Sequence, residues 1–321
     1  MAIQPNRGLS DSRLPEVIIG VDIGGTGTRI LVMTPERNIL ARKTVNTPKC
    51  FADSTAVDFL TDHIQDVAAG LRPIAIGISA SGPIDTNGII QNPDTVPGFT
   101  GVRLQEGLTK QFAVPVAVDN DAVCAALAEH SIGAGRQCDS LLHITLGTGI
   151  GVAFLLKGIP VRSGDGQHPE AGHICVAEDT DPCYCGRRSC WEQAASRQAL
   201  QRIASGILSL PPTDRSAISE LATLADAGDL RAVHAFNHYG ASVADGLSTL
   251  LAIYRPRTVV LGGSGAEYSA FFDESLADAL AVLGDWISSP TIVKTELDDY
   301  GGAIGGAILA QETAASVRYS M

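Results

Sequence analysis

Val17-Ile18-Ile19-Gly20-Val21-Asp22-Ile23-Gly24-Gly25-Thr26-Gly27-Thr28-Arg29-Ile30-Leu31-Val32-Met33 is two apolar runs parted by a turn of glycine and threonine. Val17 to Ile23 and Arg29 to Met33 each have the length and composition of a β-strand, and the glycines between them suit a tight connection. Glycine also lets backbone N–H groups come close to an anion, and threonine hydroxyls add donors. Asp22, at the end of the first strand, can hold Mg2+ through water, because hard cations take oxygen ligands. A hairpin turn that merely needs glycine has the same spelling. The stretch alone therefore leaves phosphate binding and plain turn geometry open.

On either side of this hairpin, strands and helices alternate. Residues 1–16 are expected to be a disordered leader. Residues 37–46 supply a third strand, and Val57, Leu60, Ile64, Val67 and Leu71 give residues 55–71 helical spacing. Ile74 to Ser79 is a short strand broken at Ser81-Gly82-Pro83, residues 103–112 read as a helix, and Val114 to Val118 is a buried strand. That strand runs into Asp119-Asn120-Asp121, and the Ala- and Leu-rich segment Ala122 to Glu129 is helical. Leu141 to Leu146 and Gly151 to Leu156 flank Gly147-Thr148-Gly149 and repeat the first hairpin in outline. Residues 196–208 and 230–254 are helical by pattern, Thr258 to Leu261 is a strand, and Ala303 to Glu312 is a small-residue helix. Such alternation indicates an α/β fold with a partly parallel sheet. Two halves that each open on a hairpin predict a duplicated fold with a central cleft. The 321 residues suit two domains: a small one over 17–121 plus 303–321, and a large one over 122–302 carrying the cysteine-rich loop.

With 45% apolar and 18% charged residues, the chain can bury a sizeable core. Lys and Arg number 23 against 35 Asp and Glu, a net charge of −12, and no run of five or six basic residues occurs. A duplex binder needs a basic stripe to displace counterions, so nucleic acid is not the expected partner. No apolar stretch approaches the roughly 20 residues of a spanning helix, and Met1 to Pro15 holds no secretory apolar region. A soluble, cytoplasmic protein without a membrane partner is expected.

Seven cysteines occur: Cys50, Cys124, Cys138 and Cys175 are scattered, whereas Cys183, Cys185 and Cys190 fall within eight positions. A reducing compartment with one thiolate metal site fits this better than a disulfide framework. With His173 of Glu170-Ala171-Gly172-His173, the three thiols make a tetrahedral Cys3His set, closed and therefore structural, suited to Zn2+. Packing of the four without metal is the competing reading. Glu170 and Glu192 flank this loop. Pinned by a metal they become rigid acceptors for sugar hydroxyls; otherwise they are solvated surface carboxylates.

Three further constellations carry chemistry. Gly147-Thr148-Gly149 repeats the first turn, so the pair can clamp a polyphosphate. Gly262-Gly263-Ser264-Gly265, after a strand, leaves room for a flat base or ribose, or simply leads into a helix. Asp119-Asn120-Asp121 ends a buried strand, where α/β proteins place ligands. An aspartate there can accept a hydroxyl proton during phosphoryl transfer, although from spacing alone the capping of the next helix is favoured. The Asn92 amide suits a sugar hydroxyl and equally an Asx-turn before Pro93. His143 reads as a satisfied core histidine, and His168 has no assignable role.

Taken in order, these pieces resemble the ROK family of sugar kinases and repressors, which has the actin-like ATPase (ribonuclease H-like) fold. The resemblance runs from about residue 17 to the C-terminus. It rests on Asp-x-Gly-Gly-Thr at 22–26, Asn120-Asp121, Leu-Gly-Thr-Gly-x-Gly at 146–151, Glu-x-Gly-His at 170–173 and Cys-x-Cys-Gly-x-x-x-Cys-x-Glu at 183–192. It implies that Asp121 is the catalytic base on a sugar 6-hydroxyl. Asn92, Asn120, Glu170, His173 and Glu192 would contact the sugar, with Gly82 close by, and His173, Cys183, Cys185 and Cys190 would bind zinc. Gly24, Gly25, Thr26, Thr148 and Gly149 would face the phosphates of ATP, with Gly262 and Gly263 beside the adenosine. A homodimer is implied by analogy. Two departures stand out: Ser189 replaces a glycine of the zinc loop, and Gly27 stands where the family often carries lysine. Cys-Trp-Glu-Gln at 190–193 is similar to bacterial glucokinases, whereas residues 119–129 are similar to N-acetylmannosamine kinases.

The expected reaction is phosphorylation of a hexose by Mg·ATP, with glucose first and N-acetylmannosamine second. A free aspartate titrates near about 3.9, so Asp121 is ionised at neutral pH. It accepts the hydroxyl proton while positioning supplies most of the acceleration. Repressor members carry an N-terminal DNA-binding segment, for which about 16 residues leave no room. A sugar sensor without catalysis would not need Asp121 and both turns. A polyphosphate donor would ask for a basic track that the chain lacks, which favours ATP.

Overall fold

The structure, a computed structural model, describes residues 14–51, 55–176, 180–284, 287 and 289–319. Most of the expected leader lies outside these residues; its last member, Glu16, already opens strand β1 (Glu16–Ile23). The chain divides into two compact units. One comprises residues up to Asn120 together with those from Gly302; the other is Asp121–Gly301.

In the first unit, β1 forms a five-stranded sheet with β2 (Gly27–Met33), β3 (Ile39–Asn46), β4 (Arg72–Ala80) and β5 (Val116–Asn120), ordered β3-β2-β1-β4-β5. The β1–β2 hairpin is antiparallel, as is β2–β3, whereas β1–β4 and β4–β5 are parallel. Parallel register sets Asp22 beside Ser79, and Ser79 beside Asp119. The carboxyl ends of three strands thus meet at one edge, the place where open α/β sheets bind ligands. Helix α1 (Ala56–Val67) starts at a capping box in which Thr55 and Asp58 satisfy each other's backbone N–H; α2 (Leu104–Phe112) also belongs to this unit.

Helix α9 (Gly301–Tyr319) is the small-residue segment read at the C-terminus, longer than expected at both ends. Its composition has a steric cause. A Cβ on Gly20 of β1 or Gly77 of β4 would collide with the carbonyls of Ala303 and Gly306, so helix and sheet touch backbone to backbone. Bulk on either side would push α9 off the sheet.

The second unit repeats the plan. Strands β6 (Ser140–Leu146), β7 (Ile150–Leu156), β8 (Ile159–Pro160), β9 (Thr258–Gly262) and β10 (Thr291–Lys294) run in the order β10-β9-β6-β7-β8. The β6–β7 hairpin is antiparallel, while β6–β9 and β9–β10 are parallel. Hairpin on one side and parallel strands on the other recur in both sheets, so the duplication read from the two glycine-threonine turns is real. The helices are α3 (Asp121–Ile132), α4 (Trp191–Ala195), α5 (Arg197–Leu208), α6 (Ala217–Asp226), α7 (Leu230–Tyr254) and α8 (Asp273–Ala281). Asp229 caps α7 by accepting from the N–H groups of Arg231 and Ala232. Trp191, fully buried, sits in the notch that Gly246 leaves on α7 and donates its indole N–H to the Ser242 carbonyl at 2.9 Å.

Several boundaries differ from expectation for local reasons. The third strand begins at Ile39 because residues 34–38 close a turn with Arg37 at φ 70°. Helix α1 stops at Val67, ahead of Gly70 at φ 77°. Among the described residues, no helix is long and apolar enough to cross a membrane.

Candidate functional site

The sequence-predicted residues fall into two groups, one in each unit. In the first unit the turn after β1 is closed by the Gly24 N–H, which donates to the Gly27 carbonyl at 3.1 Å. Its carbonyls are held by residues after β3. The Thr47 hydroxyl donates to Gly24 O at 2.7 Å, the Thr47 N–H to Thr26 O at 3.1 Å and the Lys49 ammonium to Gly25 O at 2.8 Å. Asp22 accepts from the Ser79 hydroxyl at 2.7 Å and lies 3.6 Å from the Arg29 guanidinium. A carboxylate at the mouth of a glycine-threonine turn is a hard oxygen donor and fits Mg2+ held through water.

The same unit gathers Gly82, Asn92 and Asn120. The Asn120 amide, buried, donates to Gly82 O at 3.0 Å. The Asn92 amide donates to Ser81 O at 3.1 Å, while its carbonyl accepts the Thr95 N–H at 3.1 Å. Asn92 therefore serves as the brace of its own loop, the Asx-type role, and both amides stand beside the ends of β4 and β5.

In the second unit, Asp121 is the first residue of α3 and its carboxylate accepts the Ala122 N–H at 2.9 Å. That contact is to the adjacent residue, whereas a cap accepts from the N–H two or three positions on, so the capping expected from spacing is not what this bond shows.

The β6–β7 turn holds Thr148 and Gly149. Its neighbour is Glu192, whose carboxylate accepts the Ile150 N–H at 3.0 Å; a side chain on Gly149 would strike that carboxylate. Glu192 is buried, and burial raises its pKa above the usual glutamate value despite the Ile150 N–H. It is no solvated surface group. Glu170 is half exposed, with the His168 imidazole 3.5 Å away. The glycine turn after β9 packs on the end of β6: Gly265 N–H donates to Leu146 O at 2.8 Å. Gly263 has φ 77°, and a Cβ there would lie 2.7 Å from that carbonyl. Gly262 and Gly263 are thereby brought against the residue that precedes Gly147-Thr148-Gly149. Beneath them lies His143, held neutral by burial that takes it down to about 4.

His173, Cys183, Cys185 and Cys190 converge, with all four donor atoms within 4.8 Å of one another. Cys185 Sγ and Cys190 Sγ are 3.6 Å apart, and Cys183 Sγ is 3.5 Å from His173 Nδ1. A zinc tetrahedron with Zn–S bonds of about 2.3 Å has edges near 3.8 Å, so the cluster is sized for the metal. Burial, with hydrogen bonding to Cys185 and Cys183, pushes the Cys190 thiol up to about 12; a cation would reverse this. Ser189, in the place of the family's glycine, adopts φ 56° and so keeps the left-handed turn. Cys175 forms a β-bridge opposite Cys190 and yet stands outside the donor set. Tyr184, not singled out from the sequence, donates or accepts at His173 Nε2 at 3.0 Å and leaves Nδ1 facing the thiols. The signal in the sequence is its position between Cys183 and Cys185.

Two mixed sheets of one plan, each opening on a glycine-threonine turn, constitute the actin-like ATPase fold. The chain belongs to the ROK family, whose pattern matches residues 18–313. It is 28% identical over 314 residues to a glucokinase of Streptomyces coelicolor, covering 92% of this chain and 97% of that one. Among solved structures it is similar to a ROK hexokinase from Thermus thermophilus, with a TM-score of 0.82, 30% identity and coverage of 94% and 99%. It is also similar to a ROK family glucokinase from Streptomyces griseus in complex with glucose and AMPPNP, with a TM-score of 0.75, 29% identity and coverage of 92% and 99%.

Proposed function

We propose that this protein transfers the terminal phosphoryl group of ATP to the 6-hydroxyl of a hexose, with glucose as the acceptor. The observation that carries the reading is the Glu192 contact. One short segment, Cys190 to Glu192, supplies both a ligand of the Cys/His cluster and the carboxylate on the second glycine-threonine turn. In this reading the segment joins a zinc-braced acceptor loop to the donor turn. The likeness to the Streptomyces griseus glucokinase, which holds glucose and AMPPNP, supports the same assignment.

In this reading the two turns receive the phosphates, Gly262 and Gly263 lie beside the adenosine, and Asn92, Asn120, Glu170, His173 and Glu192 hold the sugar. Asp121, fixed at the start of α3, takes the 6-hydroxyl proton as the phosphoryl group moves, the sugar oxygen forms the new P–O bond and ADP leaves. Mg2+, held near Asp22, would neutralise charge on the phosphates. Zinc would keep the acceptor loop in shape and take no part in transfer.

Release of ADP with Mg·ATP, measured against glucose, mannose, N-acetylmannosamine, N-acetylglucosamine, fructose and allose, tests the proposal. Preference for glucose is expected. Preference for N-acetylmannosamine would retain the kinase and change its acceptor. Sugar binding without ADP from any of them would identify a sensor.

A further inference from the structure

Lys49 is exposed, yet its ammonium is fully directed. It donates to Gly25 O at 2.8 Å and to Thr95 O at 3.0 Å, and among the described residues it pairs with no carboxylate. Lys43, by contrast, makes the ordinary surface pair, 2.5 Å from Asp66. The two carbonyls that Lys49 joins belong to segments that are far apart in sequence. Gly25 lies in the turn after β1, and Thr95 in the loop whose shape Asn92 fixes by accepting the Thr95 N–H at 3.1 Å. The segments are already in contact: a Cβ on Gly25 would come within 2.9 Å of the Thr95 methyl group, and one on Gly98 within 2.8 Å of Pro48 O. Two carbonyl oxygens turned to one point, each partially negative, are held together by a donor that both can share. An ammonium, with three donors, can satisfy both and remain charged.

We propose that Lys49 is a positioning residue that couples the donor-phosphate turn to the acceptor loop within the first unit. This rests on the functional reading above, which gives Gly24, Gly25 and Thr26 to the phosphates and Asn92 to the hexose. With Lys49 in place, ordering one segment orders the other, so each substrate binds more tightly when its companion is bound. Without it, the Gly25 and Thr95 carbonyls turn to solvent separately, and the hexose loop and phosphate turn settle independently.

The test is calorimetric titration of the full-length protein with a non-hydrolysable ATP analogue, with and without saturating glucose, for the parent, Lys49→Met and Lys49→Arg. The parent is expected to bind the analogue several-fold more tightly when glucose is present. In Lys49→Met that ratio should fall to about one, and kcat/KM for glucose by roughly 10- to 100-fold, the scale expected for a misplaced reacting group. Lys49→Arg, whose fork also reaches two acceptors, should restore much of the ratio. The melting temperature should be unchanged, since the side chain is exposed. An unchanged ratio in Lys49→Met would overturn the proposal. So would a loss confined to the nucleotide and growing with its phosphate number, which would make Lys49 a phosphate contact. If the parent binds neither ligand, the functional reading itself fails; if the parent turns over normally and the ratio survives in Lys49→Met, only the coupling role fails.

Discussion

The Glu192 carboxylate accepts the Ile150 N–H at 3.0 Å across 42 positions of sequence, and so fastens the helix that leaves the cysteine loop to the second glycine-threonine turn. Glycine at 149 is what permits the approach. Trp191, locked to α7 by its indole N–H, sets the height of the carboxylate. Removing Glu192 should therefore be felt at both ends. Glu192→Ala leaves a buried N–H without a partner, at a cost of about 1–3 kcal/mol. Its melting temperature should fall by several degrees, and its affinity for an ATP analogue should fall too. Glu192→Gln keeps an acceptor oxygen and should lose much less stability.

The charge of Glu192 also makes a pH-dependent difference. Burial raises its pKa above the ordinary glutamate value of 4.5. The folded state therefore holds the proton to higher pH than the unfolded chain, and stability falls as pH rises from about 4.5 through the raised pKa. Glu192→Gln lacks this titration. Chemical denaturation of parent and Glu192→Gln from about pH 4 to about pH 7 should show the parent losing stability relative to the variant as pH rises; parallel curves would remove the buried charge from the account.

Ser189 occupies a left-handed backbone position, φ 56°, where residues with a side chain are strained by about 1 kcal/mol. Ser189→Gly should therefore relieve strain in the cysteine loop. Slower loss of zinc to a chelator and a slightly higher melting temperature are the expected results. Faster loss would mean that the Ser189 side chain contributes more than its backbone costs.

The four-residue donor set predicts one zinc ion per chain. Elemental analysis should find it retained in Cys175→Ser and lost in Cys190→Ser, although the two cysteines face each other across a β-bridge. Because Glu192 follows Cys190 by two positions, stripping the metal should also weaken sugar and nucleotide binding.

Much of this organisation is written in local sequence. The two hairpins are legible because apolar runs flank glycine and threonine, and α9 because its small residues have no other use than close packing. The cysteine cluster is legible from the eight-residue spacing of its thiols. Elements α6, α8 and β10 are not, for a physical reason: β10 is a four-residue edge strand of mixed exposure, and α8 buries only Leu276 among the described residues. Contacts across long separations are also invisible. Nothing around Lys49 announces that its partners are the carbonyls of Gly25 and Thr95, and nothing around Glu192 points to Ile150. Backbone partners carry no side-chain signature. Asp121 is a mixed case: spacing favours a cap, the observed bond goes to the adjacent Ala122 N–H, and the family pattern gives it the proton-transfer role.

Phosphoryl transfer is tested most directly by following glucose and Mg·ATP by phosphorus NMR with the parent protein and with Asp121→Asn. The parent should convert glucose to its 6-phosphate with one ADP formed per sugar. Asp121→Asn should bind glucose with nearly unchanged affinity and turn over about 10²- to 10⁴-fold more slowly, the range for loss of a general base. Phosphate on another hydroxyl, or near-normal turnover by Asp121→Asn, would contradict the account.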